Sequence, residues 1–125
     1  MFNNRLSLGK KGEAQARKHL KKQGYRILEQ NYRCRFGEID LIAEHDGCLV
    51  FVEVKTRSGL AFGQPSEAVT RHKQQQISKV ALEYMAKSGL RDRAARFDVV
   101  AVLTHDNSSP TIEIIPAAFE LCYSE

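Results

Sequence analysis

The period of apolar and polar positions changes several times along the 125-residue chain, and each change marks an element. From Ser7 to Gln23, Gly9, Ala16 and Leu20 fall on one stripe with Lys and Arg opposite, which predicts a helix. Ser7 suits its N-cap and Gly24 its stop. Short runs rich in β-branched and aromatic residues follow at Tyr25 to Gln30, Glu38 to Glu44 and Cys48 to Lys55. Asp46-Gly47 separates the last two, a dipeptide that between such runs signals a tight hairpin. Thr70 then caps a second helix, with Ile77, Val80, Ala81 and Tyr84 at helical spacing and an end near Ser88-Gly89. Phe97 to Leu103 is a nearly continuous apolar run, as expected of a strand buried on both faces. A last strand, Thr111 to Ile115, is expected to stop at Pro116. Ser58 to Ser66 and His105 to Pro110 read as loops. The order α-β-β-β-α-β-β belongs to the α/β class: one domain over residues 1–125, a mixed sheet flanked by helices.

Composition sets limits on this picture. The chain is 42% hydrophobic and 27% charged, an ordinary globular balance. Runs such as Val99 to Leu103 are far shorter than the ~20 apolar residues of a spanning helix. The N-terminus is charged early but lacks the apolar stretch of a secretory signal, so no membrane partner and a cytoplasmic location are expected. Cys34, Cys48 and Cys122 form no C-x-x-C pair and suggest reduced thiols acting as small apolar groups. His19, His45, His72 and His105 show no metal-binding spacing, which argues against a zinc enzyme. Charge is more informative. Residues 1–35 hold ten basic side chains against Glu13 and Glu29, a net +8, whereas residues 36–125 hold nine basic against thirteen acidic, a net −4. A basic N-terminal third is suited to phosphates; a solvated helix face explains it equally well.

The hairpin carries the candidate chemistry. With Asp46 and Gly47 as its two turn residues, His45 pairs with Cys48, and counting back sets Asp40 opposite Glu53 and Glu38 opposite Lys55. Alternation puts these four on one face and Ile39, Leu41, Ala43, Val50, Val52 and Val54 on the other. Opposed residues have Cβ atoms ~4.5–5.5 Å apart, where like charges destabilise. Asp40 and Glu53 can coexist in three ways: one carboxyl keeps its proton, Lys55 neutralises the pair, or a divalent cation sits between them. Hard oxygen donors favour Mg²⁺ or Mn²⁺ for the third. Glu13 lies on the apolar stripe of the first helix, where a carboxylate needs compensation. Lys73 lies on the stripe of the second helix, near its start, where a lysine can also snorkel to solvent.

The segments L-G-K-K-G-E (8–13), G-E-I-D-L-I-A (37–43), F-V-E-V-K-T-R (51–57), F-G-Q-P-S-E-A-V (62–69) and R-F-D-V-V-A-V (96–102) together resemble the bacterial YraN-like family. That family is similar to the PD-(D/E)xK nucleases and especially to archaeal Holliday-junction resolvases. The resemblance runs from Leu8 to Val102 and implies a restriction-endonuclease-like domain. It further implies that Asp40 and Glu53 are metal-binding acids, Lys55 the motif lysine and Glu13 an added helical acid. Gly37 precedes Glu38, so no literal Pro-Asp is present. The implied activity is structure-selective, Mg²⁺- or Mn²⁺-dependent hydrolysis of phosphodiesters in DNA rather than RNA. Glu38 and Lys73 are expected behind the metal-binding acids, and Arg57 and Gln74 either meet the reacting phosphate or are plain surface residues. Lys10, Lys11, Arg17, Lys18, Lys21, Lys22, Arg33 and Arg35 would follow the nucleic-acid backbone. Ser58 to Ser66 is either a substrate-contacting flap or a plain connection. A homodimer is implied by analogy, since cutting both strands of a symmetric junction takes two sites. The alternatives are a nucleic-acid-binding module without turnover and a protein-interaction domain with a structural ion network.

Overall fold

The computed structural model describes residues 4–58, 69–105 and 108–119. Its elements are α1 (Asn4–Lys22), β1 (Arg26–Cys34), β2 (Gly37–His45), β3 (Cys48–Ser58), α2 (Arg71–Lys87), β4 (Ala95–His105) and β5 (Ser108–Phe119). The five strands form one sheet in the order β1-β2-β3-β4-β5. Three of the four ladders are antiparallel; β3 and β4 run parallel, with α2 in the chain between them. A parallel pair needs a long crossover, and the segment holding α2 provides it.

Helices cover both faces, so the central strands are apolar on both sides. Ile77, Val80, Ala81, Tyr84 and Met85 of α2 bury Ile42, Leu49, Phe51, Phe97 and Val99. On the other face Ala16 and Leu20 of α1 bury Leu41, Ala43, Val50, Val52, Val100 and Val102. The continuous apolar run of β4 is thereby explained. Turn chemistry agrees with the sequence: Asp46 and Gly47 have φ 51° and 78°, as a type I′ hairpin turn requires. Gly24 has φ 90°, and Tyr25 donates its N–H back to the Leu20 carbonyl at 3.0 Å, closing α1. The Thr70 hydroxyl accepts from the Lys73 N–H at 3.1 Å and starts α2.

Several expected boundaries move. Helix α1 begins at Asn4, so Ser7 lies inside it and is not its cap. Strand β1 continues past Gln30 to Cys34 through Asn31, whose φ is 52°. Strand β5 does not stop at Pro116 but runs to Phe119. It is an edge strand, where a proline costs no shared rung. The register shifts between Phe97 and Val99, and Ala117, at φ 51°, donates its N–H to Asp98 Oδ1 at 3.0 Å. Asp98 is fully buried and also accepts from Tyr25 Oη at 2.8 Å and Arg96 Nε at 3.0 Å, tying the starts of β1 and β4 to β5. Ile39 was expected beside Leu41 and Ala43; it packs instead with Ile42 on the α2 side. The flap reading of Ser58 to Ser66 falls largely on residues outside those described, as do Cys122 and, apart from Val69, the 62–69 stretch. Among the described residues no helix is long and apolar enough to cross a membrane.

The close approach of α1 depends on Gly12. A Cβ built there meets Thr56 Oγ1 at 2.1 Å and two further Thr56 side-chain atoms at 3.2 Å. Overpacking of this kind costs about 1–3 kcal/mol. Gly12→Ala is expected to lose that much stability in urea unfolding, and a second change, Thr56→Ala, to return most of it. An unchanged Gly12→Ala midpoint would show that the helix yields without cost.

Candidate active site

The β2–β3 ladder follows the predicted register from His45–Cys48 to Leu41–Val52, where the paired residues end. The expected direct pairs Asp40–Glu53 and Glu38–Lys55 are therefore not rungs of the sheet. In their place, the Val54 N–H donates to Asp40 Oδ2 at 2.8 Å, so a side chain takes the bond a strand carbonyl would have accepted. The β1–β2 ladder is interrupted at the same level: it pairs Gln30 with Leu41 and Tyr32 with Ile39, with no pair between Asn31 and Asp40. This local break accounts for the changed face of Ile39.

Around the break, side chains from four elements meet. Glu53 on β3 is buried, at 7% exposure, with Lys55 Nζ 3.4 Å and Lys73 Nζ 3.9 Å from its Oε1. Burial pushes the Glu53 carboxyl pKa up, the charge of Asp40 adds to this, and Lys73 and Lys55 pull it down. Asp40 is likewise raised, chiefly by burial, while the Val54 N–H and a hydrogen bond from Glu13 oppose the shift. Glu13 is pushed up to about 7, first by burial and then by the charge of Asp40 and its hydrogen bond to it. Below that pH Glu13 carries its proton and can donate a hydrogen bond to Asp40. Lys73 is half-buried and points to Glu53 rather than to bulk solvent.

Glu38 accepts from Arg33 Nε at 3.0 Å. With its amide nitrogen turned to the acids, Asn31 donates to Glu38 Oε1 and to Glu13 Oε1, each at 3.2 Å. Sequence reasoning missed Asn31. The available signal was its residue type, since Asn is among the few non-glycine residues that accept positive φ. Gly37, at φ 143°, lies where an added Cβ would meet the Gln76 side chain of α2 at 3.0 Å; proline, held near φ −65°, is excluded there.

Among the described residues no three His, Cys, Asp or Glu side chains form a ready ligand set for a metal. The charge of Asp40 acts on both Glu53 and Glu13. Gln74 turns its amide to the Val69 carbonyl at 2.9 Å, and Arg57 donates to the Thr56 carbonyl at 3.3 Å. Lys10, Lys11, Lys18, Lys21 and Lys22 are exposed on α1, Arg17 is half-buried, and Arg33 and Arg35 are exposed near the β1–β2 turn. The Arg35 guanidinium lies 4.7 Å from the centre of the Phe36 ring.

Residues 12–102 match the uncharacterised protein family UPF0102. A UPF0102 protein of Trichlorobacter lovleyi is 56% identical over 118 residues, covering 94% of this chain and 93% of its own. One of Geotalea daltonii is 53% identical over 121 residues, with 97% and 95% covered. Among solved structures, Pyrococcus furiosus SfsA in complex with Ca²⁺ aligns at 18% identity and a TM-score of 0.40, over 93% of this chain and 63% of that one. A likeness that loose carries no argument about the site.

The raised Glu13 pKa has a consequence for stability. Folded chains keep on Glu13, up to about pH 7, a proton that unfolded chains release near 4.5. The folded state therefore binds more protons between these values, and stability falls as pH rises. The destabilisation is absent below about 4.5 and complete above about 7. Urea unfolding with a chelator present, from pH 5 to pH 8, is expected to show this decline, and Glu13→Gln to flatten it. A wild-type slope equal to that of the variant would contradict the assignment.

Proposed function

The chain belongs to the UPF0102 family, and from that premise we propose that it is a metal-dependent endonuclease acting on branched or otherwise structured DNA. One observation supports this most: the half-buried carboxylate of Asp40 lies near enough to the buried Glu53 for its charge to raise the proton affinity of Glu53, at the point where the sheet opens. Oxygen donors that repel one another in a partly dry site suit a hard divalent cation. Asp40 and Glu53 would hold Mg²⁺ or Mn²⁺, with Glu13 beside Asp40. Once bound, such an ion polarises a phosphate oxygen and lowers the pKa of water.

The remaining roles belong to the chain's own groups. Lys55 and Lys73 place two positive charges beside Glu53, where either ammonium can turn to a phosphate oxygen and stabilise the charge that grows as the bond breaks. The exposed lysines of α1 track the DNA backbone, a contact that positions the duplex without reading its sequence. Arg57 and Gln74, engaged with backbone carbonyls, act by holding the surrounding strand and helix. This activity belongs to a protein of the cytoplasm, and a dimer would present two sites to a symmetric junction.

Cleavage of junction, flap and linear DNA with Mg²⁺ or Mn²⁺ is the direct test. Glu53→Ala is expected to abolish turnover, and Lys55→Ala to lower kcat by about 10²–10³, as for other removed charge-stabilising donors. Salt-sensitive binding with no cleavage of any substrate would instead identify a binding module without turnover. Binding itself has a separate signature. Lys18→Glu with Lys22→Glu is expected to weaken DNA affinity and to flatten its dependence on salt by roughly one unit of log–log slope per lost phosphate contact. An unaltered slope would place the DNA on another face.

A further inference from the structure

Strand β1 reaches the acid cluster through Asn31. The residue is exposed, so no burial requirement calls for an amide there. Its φ of 52° is rare inside a strand, and it coincides with the missing Asn31–Asp40 pair in the β1–β2 ladder. At that point the backbone gives up a rung, and the side chain reaches across to two acids from different elements, Glu13 of α1 and Glu38 of β2, each 3.2 Å from the amide nitrogen when the amide is turned with that nitrogen toward them, the orientation in which it meets acceptors rather than another oxygen.

The Glu13 and Glu38 side chains both turn an oxygen toward Asn31, so a group that donates to both of them fits between the two. Among the described residues Arg33 bonds Glu38, whereas Arg17 acts on Glu13 through its charge. A neutral amide with two N–H donors meets both acids without adding charge to the site. Asparagine also tolerates the backbone conformation that aims it there.

We propose that Asn31 is a positioning residue that holds the Glu13 and Glu38 carboxylates in place around Asp40, an inference that rests on the metal-dependent nuclease reading. Asn31→Gly separates backbone from side chain, because glycine keeps the positive φ and removes the amide. Mn²⁺ titration by calorimetry, without DNA, is expected to show an affinity about tenfold lower in Asn31→Gly, while its melting temperature stays close to the wild type. In a Glu13→Ala background the same change is expected to have no further effect, since a double-mutant cycle registers only residues that act together. Asn31→Asp gives a metal-free reading: replacing a donor with a third carboxylate is expected to lower the melting temperature at pH 8, and Glu13→Ala to restore it.

Equal losses of Mn²⁺ affinity in both backgrounds, or an Asn31→Asp protein that melts like the wild type, would overturn the positioning role while leaving the nuclease reading intact. A wild-type protein that binds no Mn²⁺ would overturn that reading and the inference with it. Coupled Mn²⁺ binding in a protein that cuts no DNA would remove the nuclease activity but keep Asn31 in its role.

Discussion

The hydrogen bond from the Val54 N–H to Asp40 Oδ2 is the contact around which the rest of the site is arranged. A backbone donor inside a sheet must be satisfied when its neighbouring strand turns away. Here β2 and β3 part after Leu41 and Val52, and a carboxylate takes the place of the departing strand. That exchange fixes the direction of Asp40. A symmetric hairpin continued by two more rungs would have projected the same side chains from one face of the sheet, with the backbone groups of the strands paired to each other.

Charge balance around the opening is tight. Glu53 is buried, and burial of a lone carboxylate is costly; Lys55 from its own strand and Lys73 from the start of α2 offset that cost. Neither lysine removes the repulsion between Glu53 and Asp40, which still raises the Glu53 pKa. Asp40 meets a second acid in Glu13, which responds by keeping its proton to about pH 7. The cluster thus relieves its crowding of acids by retaining a proton on Glu13 and by placing Lys55 and Lys73 beside Glu53. The lysines of α1 stay exposed, while Gly12 lets the same helix approach β3 closely enough to carry Glu13 to the sheet.

Much of this was legible in the sequence because it depends on local rules. Helix period, the Asp46-Gly47 turn, the Thr70 cap and the doubly buried β4 are set by residues within a few positions of one another, and each was placed correctly. Ser7 lies inside α1, β5 passes Pro116, and Ile39 changes face; in the last two cases a neighbouring element altered what the local pattern implied. Pro116 is accommodated because β5 is an edge and Asp98 captures the Ala117 N–H. Ile39 changes face because the chain is broken out of alternation at Asp40.

The sequence by itself determined the order of elements, the hairpin register near its turn, the apolar faces and the presence of acids and lysines at Asp40, Glu53, Lys55, Glu13 and Lys73. Only the tertiary structure decided where the ladders stop, that Asp40 serves Val54, that Glu13 shares its proton with Asp40, and that Asn31 spans Glu13 and Glu38. The physical reason is range: periodicity and turn chemistry act along the chain, whereas proton sharing and replaced rungs depend on which side chains distant segments bring within hydrogen-bonding distance.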